Sequence, residues 1–436
     1  VTEEVPSPTR IAVLGLGKMG LPLAVVFANA GYVVTGIDTD GEKVARINAG
    51  ESPYPEEPHL DSMLKSALKK KFAARTEPVK ADIHIILIPI MLKNGKADLS
   101  ILEDVCRKIA GVIKRGDTIV LESTAPPGTC STVVVPLLET TGLKAGVDFG
   151  VGHCPERTMS GTALDDIMHK YPKIIGASDP RTEKVLTRVY SSINTKGCIL
   201  MRNTQTAEAV KVFEGIYRDV NIALANELAL FCEEKGIDVT EVIKAANTQP
   251  YCHLHDPGAG VGGHCIPVYP YFVMSEKTCL IQTARKINEV MPYHVVDLLQ
   301  DMFEKKGIHL KGAKVLLLGI SFRGGVKEER FSPFFAVRDE LIRRGALVYG
   351  YDPLYTREEV ERLGVTYSTD YRVDGIILLT DHSEFGQIDW NHLYRKRVQF
   401  VVDGRNILDR EKVESAGLWY AGVGRRLTRS PQSRSR

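Results

Sequence analysis

Apolar runs and helical stretches alternate along the first third of the chain. Ile11–Gly15 and Tyr32–Asp38 are apolar runs of strand length; between them Leu21–Ala30 has the pattern of a helix, closed by Gly31. Ile83–Pro89 and Thr118–Glu122 are further apolar strands, separated by helical patterns. Strands that alternate with helices predict a parallel, doubly wound α/β sheet. The longest apolar run, IHIILIPIML near Ile85, is about ten residues, far short of the ~20 that span a bilayer, and suits a buried strand.

The middle of the chain changes character. From Thr204 to Gly236 there is no proline, and only Gly215 interrupts the run. Asn203 or Thr204 can cap its start and Gly236 its end, which predicts one helix about 50 Å long at 1.5 Å per residue. A helix of that length braces two domains or two subunits. Helical pattern continues to about Lys306, broken by the glycine-rich loop at 257–263. After Lys311 the opening pattern returns: AKVLLLGISFRG parallels TRIAVLGLGKMG, and PFFAVRDELIRRG followed by ALVYGYDP parallels AVVFANAG followed by YVVTGIDTD. Two strands follow, DGIILLT and VQFVVDG. The repeat predicts a second doubly wound domain without the full glycine set.

Bulk properties narrow the classes. The chain has 436 residues, 44% hydrophobic and 25% charged, which suits about three globular units. Net charge is only +2, so neither a nucleic-acid nor a membrane partner is expected. The start, VTEEVPSPTR, is polar and has no apolar stretch of the kind that makes a signal peptide. The tail RRLTRSPQSRSR is basic and nearly free of apolar residues, and is expected to be disordered. Eight scattered cysteines without a CxxC pair suit a reducing cytoplasm.

GLGKMG sets Gly15, Gly17 and Gly20 directly after a strand and at a helix start. Gly15 permits the tight turn, Gly17 lets backbone amides approach a pyrophosphate at the positive helix end, and Gly20 allows close helix–sheet packing. Asp38 ends the next strand, where a carboxylate accepts hydrogen bonds from ribose hydroxyls; no Arg follows it, which favours NAD over NADP. Lys18 and Met19 within the turn, and Lys43 beyond Asp38, join the cofactor-binding set. The fold expected is therefore α/β, with two Rossmann-like doubly wound parallel-sheet domains joined by a long central helical region. The domains would be an NAD-binding one over 1–203, a helical dimerisation domain with the Cys loop over 204–306, a second Rossmann-like domain over 307–424, and the tail 425–436.

A second glycine-rich segment, PGAGVGGHCIP, delivers His264 and Cys265 after Gly258, Gly260, Gly262 and Gly263. Bare backbone can lie against a ligand, and a thiol at its end is a nucleophile. Most free cysteines are buried core residues; the glycine context sets Cys265 apart. A zinc site from Cys252, His253, His255, His264 and Cys265 competes, although their spacing matches no common zinc motif.

Taken together, GLGKMGLPLA, ESTAPPGT, CPERTMSGTAL, AEAVKVFEGIYRDVNIALANELA, PGAGVGGHCIPVYPYF and GISFRGGVKEERFSP resemble, in order, segments of the UDP-glucose/GDP-mannose dehydrogenase family. The resemblance spans about residues 10–424. His264 before the Cys, and Arg157 in CPER, look like the branch acting on UDP-N-acetylhexosamines, with UDP-N-acetylmannosamine the first expectation and the galacto and gluco epimers behind it. The resemblance implies an NAD domain, a helical dimerisation region and a UDP-binding domain. It also implies a four-electron oxidation at C6 through a Cys265 thiohemiacetal and thioester, serving surface polysaccharide or glycan precursor synthesis. By the same resemblance Lys211 stabilises oxyanions, Glu156 handles protons or water, and Thr124 lies near cofactor and water. Arg157, His255, Gly262, Gly263, Phe322 and Arg323 face the UDP-sugar. Arg330 reaches cofactor or substrate phosphates, and Arg285 a neighbouring subunit's substrate. Two positions depart from the family habit: Gly215 stands where Asn is common, and Tyr269 where Asp is common. Two other readings stay open: a two-electron dehydrogenase of the 3-hydroxyacid or 6-phosphogluconate type, and a non-catalytic nucleotide-sensing module.

Overall fold

The computed structural model describes residues 9–425. The chain divides into two compact units: one runs up to Glu214 and takes back Tyr271–Val273, and the other holds Gly215–Pro270 and the chain from Met274. The basic tail from residue 426 lies outside the described residues. Arg425, counted with that tail on sequence grounds, belongs to the fold instead. Its guanidinium Nε pairs with Asp238 at 3.0 Å and stacks over Tyr420, which supplies the partners a solvated tail lacks.

In the first unit the strands are β1 (Arg10–Leu14), β2 (Val33–Ile37), β3 (Phe72–Arg75), β4 (Ile83–Ile86), β5 (Met91–Lys93), β6 (Lys96–Asp98), β7 (Thr118–Leu121), β8 (Gly150–His153), β9 (Lys173–Ala177) and β10 (Cys198–Met201). Eight of them form one sheet in the order β10-β9-β8-β7-β4-β1-β2-β3, with β5 and β6 a separate hairpin. All its pairs are parallel except β8–β9. Ile11, Val13, Ile85 and Val120 pack on one side with Leu21, Phe27 and Leu186, while Leu14, Ile86, Ile119 and Leu121 pack on the other with Leu102, Ile109 and Phe149. Coverage on both faces explains why these strands read as unbroken apolar runs. β1 lies between β2 and β4, so the strand order reverses there and the ends of β1 and β4 open the crevice where such sheets take ligands. The run near Ile85 is not one strand: β4 ends at Ile86, Pro89 cannot donate to a ladder, and the chain turns into the β5–β6 hairpin.

The second unit carries β11 (Lys314–Leu318), β12 (Leu347–Tyr351), β13 (Thr366–Tyr367), β14 (Gly375–Leu378), β15 (Phe400–Asp403) and β16 (Trp419–Gly422), an all-parallel sheet in the order β13-β12-β11-β14-β15-β16. The expected pair of doubly wound parallel sheets is present. The helix Cys279–Lys305 is seated on the second sheet through Val295, Leu299, Met302 and Phe303, in one core with Val315, Phe334 and Phe400. The repeat holds in detail. Gly319 follows β11 with φ +101° as Gly15 follows β1 with φ +102°. Their N–H groups donate to Tyr351 O at 2.8 Å and Ile37 O at 2.7 Å. At the end of β12, Asp352 accepts the N–H of Ile320 at 2.7 Å, as Asp38 at the end of β2 accepts that of Leu16 at 3.1 Å. Asp352, however, is fully buried, with His382 Nε2 3.1 Å away, and Ser321 fills the position corresponding to Gly17.

The long helix runs over Thr204–Lys235. Asn203 Oδ1 accepts the Thr206 N–H at 2.8 Å at its start, and Gly236 at φ +70° ends it. The break after the short helix Val239–Ala246 is longer than the glycine loop alone, extending to Thr278 with one 3-10 turn at Tyr269–Phe272. Pro250, Pro257, Pro267 and Pro270 lie in that stretch along with the glycines and keep it from helix.

Candidate active site

The glycine turn after β1 leads into the helix Gly20–Asn29, whose N-terminus receives no side-chain cap and has no acid in its first turn. Its positive dipole end suits an anion. A Cβ on Gly15 would lie 2.1 Å from Leu87 O and one on Gly20 1.8 Å from Gly15 O, so both positions demand glycine. A Cβ on Gly17 would meet nothing within 4 Å, leaving its backbone open to a ligand. Asp38 is held by the N–H groups of Leu16 and Asp40, and Lys43 Nζ pairs with it at 3.0 Å. Lys18 reaches Glu56 at 3.0 Å, and Met19 Sδ accepts the Thr158 hydroxyl at 2.8 Å. These residues fit a dinucleotide: bare amides for the pyrophosphate and a carboxylate for the ribose. Bound NAD supplies a hydride acceptor.

Glu156 follows β8 in the same unit. Its Oε1 accepts the Thr158 N–H at 2.6 Å, while Oε2 is buried without a hydrogen bond, 3.8 Å from Lys173 Nζ. Behind it is a group that the sequence pattern did not reveal. Lys173 Nζ, 13% exposed, lies 2.9 Å from Glu122 Oε2 and over the Tyr190 ring, and Tyr190 donates its hydroxyl to Glu122 Oε1. Burial pushes Glu122 up to about 7 against the pull of Lys173. Burial would lower Lys173, but Glu122 and Glu156 outweigh it and hold the ammonium above its ordinary value. Glu156, Arg157, Tyr171 and Lys173 line one cleft. Arg157 pairs with Glu214 at 2.7 Å and stacks on Tyr171. Thr124 is half-buried in the turn after β7, and Lys211 is half-buried on the long helix.

In the second unit the loop ahead of Cys265 is packed backbone to ring. A Cβ on Gly262 would lie 2.4 Å from Phe322 Cβ; Gly263, at φ +86°, faces the Phe322 ring and donates its N–H to Arg330 O at 2.8 Å. Arg323 stacks toward Phe322. Beyond this loop Cys265 is exposed, whereas Cys106, Cys130, Cys154 and Cys232 are buried. His255 sits edge-on to Tyr217, and its backbone N–H donates to Asn221 Oδ1 at 2.9 Å. Burial, with Arg218 beside it, lowers its pKa and favours the neutral ring. Arg285, expected to reach outward, is instead 5% exposed with its guanidinium 2.6 Å from Asp219, which Asn288 also bonds at 2.8 Å. Breaking such a buried pair costs about 3–5 kcal/mol. The five residues of the zinc alternative do not converge: among the described residues, the one trio of metal-ligating types within reach of one another is Cys130, His153 and Glu208. Glu208 there already accepts the N–H groups of Gly128 and Cys130.

A glycine turn at a switch point, an acid at the end of β2 and a second doubly wound unit define a two-unit dinucleotide-dependent dehydrogenase. Comparison with known proteins gives the family. Residues 9–194 match the NAD binding domain, 205–291 the central domain and 316–410 the UDP binding domain of the UDP-glucose/GDP-mannose dehydrogenase family. The chain belongs to that family, and it is an NAD-dependent oxidoreductase. It is 40% identical to the UDP-N-acetyl-D-mannosamine dehydrogenase of Pyrococcus horikoshii, over 95% of this chain and 99% of that one. It is 33% identical to an NDP-N-acetyl-D-galactosaminuronic acid dehydrogenase of Ralstonia nicotianae, over 92% and 97%. The solved structure of UDP-D-ManNAc dehydrogenase from Pyrococcus horikoshii superposes with a TM-score of 0.87 at 37% identity, covering 95% of this chain and 99% of that one.

Proposed function

We propose that this protein oxidises the C6 alcohol of a UDP-N-acetylhexosamine, UDP-N-acetylmannosamine first, to the uronate through covalent attachment to Cys265. The observation that carries the reading is the exposed thiol at the end of a glycine-rich loop that ring and backbone contacts hold in place. The names of the relatives support the sugar. Four electrons separate an alcohol from a carboxylate, so each sugar must give up two hydrides. An aldehyde has no hydride to give until a nucleophile adds to it. The Cys265 thiolate adds to the aldehyde carbon, and the carbonyl oxygen takes a proton to give a thiohemiacetal. Loss of the C6 hydride and the hydroxyl proton leaves a thioester. Water then attacks its carbon, the C–S bond breaks, and carboxylate, thiol and one proton are released. Lys211 stabilises the oxygen anions, while Glu156, with Thr124, handles water and protons. Gly15, Gly17, Lys18, Met19, Gly20, Asp38 and Lys43 hold NAD, with Arg330 at a phosphate. Arg157, His255, Gly262, Gly263, Phe322 and Arg323 hold the UDP-sugar.

The same proposal includes a homodimer through the long helix, where Phe213, Tyr217, Leu224 and Phe231 are each more than 40% exposed along it. It also includes cytoplasmic work in glycan precursor synthesis; among the described residues no helix is long and apolar enough to cross a membrane. The test is NADH release over a panel of UDP-sugars, counted per sugar consumed. Two NADH per UDP-N-acetylhexosamine, lost in Cys265→Ser, is the expected result. One NADH per sugar, or two at the wild-type rate in Cys265→Ser, rules out the covalent route.

A further inference from the structure

Glycine is a poor helix residue: it has no side chain to pack and the most backbone freedom to lose. Gly215 nevertheless sits inside the 32-residue helix Thr204–Lys235, with regular helix on both sides. Its surroundings explain it. A Cβ at this position would lie 2.4 Å from Cδ2, 3.2 Å from Cγ and 3.3 Å from Cβ of Tyr269. The tyrosine ring therefore rests on bare helix backbone, and Tyr269 is only 8% exposed. Four residues before the ring is Cys265. Its carbonyl accepts the N–H of Val268 at 3.1 Å and that of Tyr269 at 3.0 Å, so the thiol-bearing residue opens the turn that the ring closes. On its other side the chain is held by Gly263 on Arg330 O and by Phe322. An exposed thiol thus stands between two anchored points.

We infer that Gly215 and Tyr269 are a matched socket and knob that fix the Cys265 turn on the long helix, with Tyr269 a positioning residue for the thiol. The two departures from the family pattern are then one feature. Asn at 215 would need the space the ring occupies, and Asp at 269 would leave the socket empty. The inference rests on the proposed role of Cys265, and its test is built so that the two can fail separately.

The full-length chain is made with Gly215→Ala, Tyr269→Ala, Tyr269→Phe and the Gly215→Ala/Tyr269→Ala pair. Alkylation of Cys265 by iodoacetamide is followed by peptide mass spectrometry across pH, with the exposed Cys279 as internal reference, beside kcat and KM for the UDP-sugar. Gly215→Ala and Tyr269→Ala are each expected to change the Cys265 alkylation profile but not that of Cys279, and to lower kcat about 100-fold with KM little changed. Tyr269→Phe keeps the ring and rescues both readouts to within about twofold. In the Tyr269→Ala background, adding Gly215→Ala costs nothing further, because its methyl has no ring to meet; this arm carries the test if Gly215→Ala alone fails to fold. Wild-type alkylation and kcat in Tyr269→Ala, or equal losses from Gly215→Ala in both backgrounds, overturn the inference. If Cys265→Ser keeps two NADH per sugar, the covalent reading fails, while the alkylation cycle still judges the socket.

Discussion

Replacing Lys173 by Met removes one ammonium and leaves a chain of similar length over the Tyr190 ring. Its consequence depends on pH, and the sign follows from Glu122. The carboxyl of Glu122 is raised from its ordinary 4.5 to about 7 by burial. A raised carboxyl favours the folded state below its ordinary value and loses that advantage as pH climbs through the folded value. At ~1.4 kcal/mol per pH unit, the loss between pH 4.5 and 7 is about 3 kcal/mol in the wild type. Without Lys173, whose Nζ is 2.9 Å from Glu122, the folded value rises further and the loss continues past pH 7. At pH 5.5 Glu122 is protonated in both proteins, so the variant loses only about 1 kcal/mol of polar contact. At pH 8.5 the deficit approaches ~3 kcal/mol, the low end for a broken buried pair. Between about pH 7 and 8.5 the extra loss can reach at most ~2 kcal/mol, which corresponds to a gap in Tm wider by up to about 4–8 °C for a unit of this size. Scanning calorimetry from pH 5.5 to 8.5 measures it, with the N-terminal transition identified as the one that NAD moves upward. A gap that stays constant over that range refutes the assignment of a raised Glu122 carboxyl held down by Lys173.

Two further outcomes are expected. Asp38→Ala removes the acceptor at the end of β2, and the KM for NAD rises about 10–100-fold, as loss of hydrogen bonds to a charged group requires, with kcat at saturating NAD nearly kept; an unchanged KM, measured by initial rates, would show that the ribose is bound elsewhere. Leu224→Glu with Phe231→Glu places charge on the exposed face of the long helix and converts a two-chain species to a one-chain species in sedimentation; an unmoved mass would place the interface on another surface.

What was legible in the sequence is what is local. Gly15, Gly17, Gly20 and Asp38 fall within one strand–helix–strand unit, so spacing alone assembles them. The long helix announced itself through Asn203, Gly236 and the absence of proline. Lys173 did not, because it lies 51 residues from Glu122 and meets it only through sheet neighbours, from β7 across β8 to β9. The inward turn of Arg285 was hidden for the same reason: Asp219 is 66 residues away on another helix. The partnership of Gly215 and Tyr269 was visible only as two separate oddities, since a ring and a missing side chain leave no mark of their complementarity until the chain is folded.

The two halves of the internal repeat have parted chemically at one carboxylate. Asp38 keeps a rim position that a sugar hydroxyl can reach, while Asp352, at the matching strand end, is sealed beneath His382 with its oxygens spent on main-chain amides. A second dinucleotide arriving at the C-terminal sheet would find its ribose without an acceptor and Ser321 where its diphosphate needs bare chain. The same strand-end pattern thus offers a ribose acceptor in the N-terminal unit, and in the C-terminal unit it has turned its carboxylate to holding the turn after β11 together.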